Sequence, residues 1–117
     1  MISEGQITLF KFPQTDQQAG KLRPALVLRK IPGRYDDWLI CMISSQLHQK
    51  ILELDEVITT KDSDFIRSGL KLPSVIRASR LAVVEKNILL GKLGQISQNR
   101  LSRVRQNLAR WISHISG

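Results

Sequence analysis

Chemistry in this chain has few places to reside. Two histidines, His48 and His114, stand 66 positions apart, and the single cysteine, Cys41, lies inside an apolar run. No HExxH, CxxC or clustered carboxylate pattern occurs, which argues against a zinc or di-metal site. No P-loop and no GxGxxG is present, so neither a metal nor a nucleotide cofactor is expected. A cysteine nucleophile would have to leave its strand, and core packing is the better reading of Cys41. What remains is arginine and hydroxyl chemistry at strand ends: Arg23 before Pro24, Ser44-Ser45 after Ile43, and Arg77 to Arg80 after Ile76. A guanidinium holds a phosphate with two fixed donors and keeps its charge in a partly desolvated cleft. A serine hydroxyl can donate to a non-bridging oxygen as charge builds on phosphorus. Such a set could serve RNA cleavage in which the substrate's own 2′-hydroxyl attacks. The plainer alternative is a turn cap for the serine and a surface position for the arginine.

These residues must be positioned by short strands. Ile7 to Phe12 is a β-prone run closed by Pro13 and a polar loop, Gln14 to Gly20. Ala25 to Leu28 and Trp38 to Ile43 are continuous apolar runs of the kind that form buried strands, separated by the turn signal Ile31-Pro32-Gly33. Ile51 to Leu54 reads as the start of a weaker strand with Leu52 and Leu54 on one side, and Asp62-Ser63-Asp64 as a loop. Leu70 and Leu72 alternate with Lys71, and Pro73 then marks an edge strand or a bulge before Val75-Ile76. Leu81 to Val84 finishes the sheet. Five or six such strands favour a small antiparallel barrel or sandwich. The tail changes period: with Ser97 as N-cap, Leu101, Val104, Leu108, Trp111, Ile112 and Ile115 recur at helical spacing and must pack on the barrel. Arg100, Arg103 and Arg110 lie away from that stripe and read as a solvated face.

Composition sets the frame. The 117 residues fit one domain, a barrel over about 5–85 and a helix over about 97–115. A chain of this size buries roughly 65% of its unfolded surface, enough for two packed layers. No apolar stretch reaches membrane-spanning length, and the start lacks the basic and apolar regions of a signal peptide. With one cysteine, a cytoplasmic setting fits. Eighteen Lys and Arg against ten Asp and Glu leave a net charge of +8, which points to a polyanionic partner. The charge is uneven: Tyr35 to Asp64 holds seven acids and two bases, Lys86 to Gly117 six bases and no acid. Aromatics at 5% argue against a surface that stacks many exposed bases.

Three stretches carry a family resemblance: KLRPALVL at Lys21 to Leu28, DWLICMISSQ at Asp37 to Gln46, and SVIRASRLAVVEKNILLGKLGQIS at Ser74 to Ser97. Together, in this order, the chain resembles the MazF/PemK family of ribosome-independent endoribonuclease toxins from toxin–antitoxin pairs. The resemblance implies a mainly β fold, an SH3-like antiparallel β-barrel (CcdB/MazF/PemK-like) with a C-terminal α-helix, acting as a homodimer. It implies sequence-selective, metal-independent cleavage of single-stranded RNA, mRNA included, to a 2′,3′-cyclic phosphate and a 5′-hydroxyl. It also implies restraint by an acidic antitoxin, which would be the only link to DNA. Carried over by residue, the resemblance implies three catalytic positions. Arg23 matches the catalytic arginine of the Arg-Pro strand, Ser44 the catalytic hydroxyl closing the next apolar strand, and Arg77 a second arginine that some members use in proton transfer or phosphate binding. Where some members carry an aspartate two residues beyond that arginine, this chain has Ser79. A hydroxyl is a poor general base, so either the arginines and Ser44 suffice or activity is weak.

Roles follow from charge. A guanidinium titrates above roughly 12 and is a poor base at neutral pH. Arg23 is therefore assigned to stabilising the pentacoordinate phosphorane and Ser44 to donating to the scissile phosphate. Ser45, Gln46 and Ser79 are candidate RNA contacts, with turn capping the equal alternative for Ser45 and Gln46. Arg80, Lys71 and Arg67 could hold flanking phosphates. Two other readings share the sequence: a gyrase-poisoning toxin of the same fold working through Trp111 to Gly117, and a basic RNA-binding module without catalysis.

Overall fold

The computed structural model describes residues 2–11 and 21–114. Phe12, Pro13, the loop from Gln14 to Gly20 and Ile115 lie outside them. Six strands, β1 (Gln6–Phe10), β2 (Arg23–Lys30), β3 (Asp37–Ser44), β4 (Glu56–Ile58), β5 (Ser74–Glu85) and β6 (Lys92–Gln95), form one sheet in the order β4-β5-β3-β2-β1-β6. Every pairing is antiparallel. Between β4 and β5 lies a single helical turn, α1 (Phe65–Ser68), and a long helix, α2 (Gln98–Ser113), ends the described chain.

The two longest apolar runs occupy the middle of the sheet, where both faces are covered. Leu26, Leu28, Cys41 and Ile43 join a cluster with Leu101, Val104 and Leu108 of α2. Ala25, Val27, Trp38 and Ile40 point the other way and pack with Phe10, Val84 and Leu89. With both faces buried, period-two alternation disappears and a continuous apolar run results. The sheet curls so that its edges approach each other. α1, directly after β4, ends at Gly69 in the left-handed conformation (φ +75°) and lies against β6. Gly94 makes that contact possible, because a Cβ there would sit 2.1 Å from the carbonyl oxygen of Arg67.

Several expectations need correction. Residues 51–54 form a tight turn, not a strand. The Asp55 carboxylate accepts the Ile51 N–H at 3.0 Å, and such a local side-chain bond outcompetes extended pairing. Leu54 is buried but Leu52 is 78% exposed, so the two do not share a face. Leu70 and Leu72 are not in a strand, and Pro73 precedes β5, which is interior. Leu81 to Val84 is the far half of that same strand. The bulge falls later: Cys41 pairs with Leu81 and the adjacent Met42 with Arg77, which leaves residues 78–80 unmatched on β3. β6 was not anticipated; four residues, one of them glycine, give little periodicity.

Ser97 caps α2 as expected, its Oγ accepting the Arg100 N–H at 3.1 Å. The apolar stripe packs only through Leu108, for Trp111 and Ile112 are 61% and 64% exposed. Arg100 is no surface residue. At 4% exposure it donates to Asp64, Glu56 and the Val57 carbonyl, and so fastens α2 to the β4–α1 segment. Arg103, half exposed, shares Glu56, and Arg110 is exposed as expected. Among the described residues no helix is long and apolar enough to cross a membrane.

Candidate active site

The start of β2 and the end of β3 meet at one end of the sheet. Their ladder begins at Ala25↔Met42, and two further steps in the same register set Arg23 against Ser44. Pro24 has no N–H to contribute, which suits a position where that ladder ends. Both residues lie on the sheet face opposite α2, in line with Ala25, Val27 and Ile40. Ser44 also pairs with Val75 of β5, and its neighbour Met42 pairs with Arg77. Arg77 is thus a diagonal neighbour of Ser44, a separation of roughly 7–8 Å that a long side chain can bridge.

A cleft of about 290 Å³ opens there. Lys21, Arg23, Ser44, Ser45, Lys71 and Ser74 supply its polar groups, and Leu22, Pro24 and Leu72 its apolar walls. Three cations and no carboxylate line it among the described residues, a balance suited to a phosphodiester. A larger depression, about 500 Å³, lies elsewhere against Tyr35, Asp36, Glu85 and Lys86, where two carboxylates would repel an anion.

Ser44 is 6% exposed, and its Oγ accepts the Gln46 N–H at 3.0 Å. This is the turn-capping role weighed from the sequence. It is compatible with chemistry, since a hydroxyl that accepts one bond still has its own proton to donate. Arg23 is half-buried at the first position of β2, across from Phe10 of β1.

The other predicted residues are distributed around this cleft. Ser45 and Lys71 line it; Gln46, Arg77, Ser79 and Arg80 do not. Arg77 reaches away toward the 3-10 turn Leu47–Gln49, its Nη1 donating to Gln49 Oε1 at 3.3 Å. Ser79 spends its N–H and its hydroxyl on Asp55, both at 3.1 Å. Arg80 is exposed on the bulge, and Arg67 on α1. Sequence reasoning passed over Asp55 and Gln49. Asp55 sat in an acidic stretch with no pattern to distinguish it.

Cys41 is fully buried, and desolvation, reinforced by the charge of Asp55, pushes its thiol pKa well up, so it offers no thiolate at neutral pH. Among the described residues no group of three His, Cys, Asp or Glu side chains is placed to hold a metal ion.

Residues 3–112 match the family of PemK-like, MazF-like toxins of type II toxin–antitoxin systems. The chain belongs to this family. Two solved structures share the toxin fold. An endoribonuclease in complex with its cognate antitoxin, from a mycobacterial species, aligns over 100% of both chains with a TM-score of 0.67 at 13% identity. A second mycobacterial endoribonuclease aligns over 97% of this chain and 93% of its own, with a TM-score of 0.63 at 13% identity. At that identity the likeness is one of fold. No curated protein matches the chain by sequence. The mainly β sheet with a C-terminal helix expected of a MazF/PemK-like toxin is the fold found.

Proposed function

We propose that this toxin-family protein is an endoribonuclease that cleaves single-stranded RNA, with the substrate's 2′-hydroxyl as nucleophile. The observation that carries the reading is the cleft in which Arg23 of β2 and Ser44 of β3 stand together with Lys21 and Lys71 and, among the described residues, no acid. In the reaction O2′ bonds to phosphorus and its proton leaves, while the P–O5′ bond breaks and O5′ gains a proton. The products are a 2′,3′-cyclic phosphate and a 5′-hydroxyl. Arg23 neutralises charge on the phosphorane, and Ser44 donates to a non-bridging oxygen. Arg77, one step along the same face, supplies a second guanidinium, and Lys71 and Arg80 hold flanking phosphates. Ser45 and Gln46 contact the RNA beside the scissile bond. Positive charge that a metal could provide comes here from guanidinium groups.

Two partners belong to this reading. An antitoxin segment rich in acidic residues would occupy the same basic cleft. A second copy of the chain would cover the apolar residues left outside the core, Leu81 and Val83 on β5 and Ile112 on α2, which are 42%, 58% and 64% exposed.

The test is incubation of the purified protein with a defined single-stranded RNA in excess chelator. Cleavage that persists there and is lost in Arg23→Ala supports the proposal. RNA left intact while gyrase is inhibited favours the gyrase-poisoning reading, and salt-sensitive retention without cutting favours a binding module.

A further inference from the structure

Asp55 precedes β4 and is 3% exposed, yet it carries a carboxylate. Its oxygens accept the Ser79 N–H and Oγ–H, each at 3.1 Å, and the Ile51 N–H at 3.0 Å. One step beyond the Glu56↔Ile76 pair, Asp55 faces Arg77 across β4 and β5, with Arg77 Nε 3.9 Å from its Oδ2. Three pieces of chain therefore converge on one buried charge: the turn at 51–54, the bulge at 78–80, and Arg77. Plugging the bulge and holding the turn require only hydrogen-bond acceptors. A charge kept where the side chain has no exposure needs a cation close by, and Arg77 is that cation.

The geometry points to Asp55 as the positioning residue for Arg77. It does not touch substrate. Its charge holds the guanidinium on the Ser44 side of the sheet, and its hydrogen bonds fix the bulge from which Arg80 projects. At 3.9 Å the pair stops short of a closed hydrogen bond, and Arg77 Nε is buried without a hydrogen-bond partner among the described residues. The side chain is steered without being fully spent, and a short swing lets it follow a phosphate seated beside Ser44. This role rests on the ribonuclease reading above, but its test can be scored separately.

The experiment is a double-mutant cycle on a defined single-stranded RNA with wild type, Asp55→Asn, Arg77→Ala and the double variant, with kcat, KM and urea midpoint measured for each. Misaiming a group of this kind costs roughly 10- to 100-fold in rate. Asp55→Asn should lower kcat by that factor, change KM less than about twofold, and cost nothing further once Arg77 is gone. Losses that multiply, or an unchanged kcat, overturn the proposal. Should Asp55→Asn fail to fold, hydrogen exchange of the Arg77 Nε–H in the wild-type protein decides, its signal assigned by its loss in Arg77→Lys. Exchange much slower than at exposed Arg34 supports a held guanidinium, and equal exchange overturns it. If the wild-type protein leaves RNA intact, the ribonuclease reading falls. The cycle is then run on RNA affinity, where an Asp55 effect that vanishes without Arg77 still supports positioning and one that persists overturns it.

Discussion

Arg100 and Arg77 are both largely withdrawn from solvent, with side chains 5% and 15% exposed, yet their donors are spent differently. Arg100 gives Nε and Nη2 to the two oxygens of Asp64, at 2.9 and 3.2 Å, and Nη1 to Glu56 and the Val57 carbonyl, both at 3.1 Å. Among the described residues Arg77 makes one hydrogen bond, to the neutral amide of Gln49, and stands back from its carboxylate. Arg23, on the same face, lines an open cleft. A guanidinium saturated by protein partners joins elements together, whereas one that lines a cavity is placed to meet a ligand. The uneven charge of the sequence reflects the first use as much as the second, because basic Arg100 and Arg103 of the tail pair with Glu56, Asp62 and Asp64 of the acidic stretch.

Breaking the saturated region should give the largest change. Arg100→Ala leaves Asp64 buried without its counter-charge and should cost about 3–5 kcal/mol, read as a lower urea midpoint with unchanged slope. Arg23→Ala should weigh on the chemistry instead: cleavage falls on the order of 100- to 1000-fold, and the unfolding midpoint drops less than in Arg100→Ala. If the two variants exchanged phenotypes, the division between joining and ligand-binding arginines would be wrong.

Acid should act on the saturated region first. Burial alone would raise the Asp64 pKa, but bonds from Arg100 and the Ser97 N–H outweigh it and hold the carboxyl below its ordinary value near 3.8. A depressed folded-state pKa contributes stability that is fully present above that ordinary value and is lost as pH falls through the folded one. Stability should therefore drop below about pH 4, and less steeply in Arg100→Ala, as followed by circular dichroism. The smallest effect belongs to the cleft rim. Lys71→Ala should reduce the salt slope of RNA affinity by about 0.7, the share of one phosphate contact on a single strand, at little cost to kcat.

What the sequence made legible follows from how local each signal is. β2 and β3 were visible because unbroken apolar runs mark strands covered on both faces, and the start of α2 because Ser97 caps the third residue after it. The Arg23–Ser44 cleft was anticipated through strand ends and a family pattern. The burial of Arg100 was not, since Asp64 and Glu56 lie 36 and 44 positions away and nothing near Arg100 announces them. Asp55 escaped for the same reason, its partner Ser79 being 24 residues distant and its turn masked by apolar Ile51 and Leu52. Pro73 pointed to an edge strand or a bulge because proline is a local cue, whereas the bulge at 78–80 is settled by register between strands.

The measurement closest to the central claim is a crystal structure with a short RNA that cannot react because its attacking 2′-hydroxyl is replaced by hydrogen. The account predicts one phosphate within hydrogen-bond distance of both the Arg23 guanidinium and Ser44 Oγ. A phosphate seated elsewhere, with RNA bound and those two groups untouched, would contradict it.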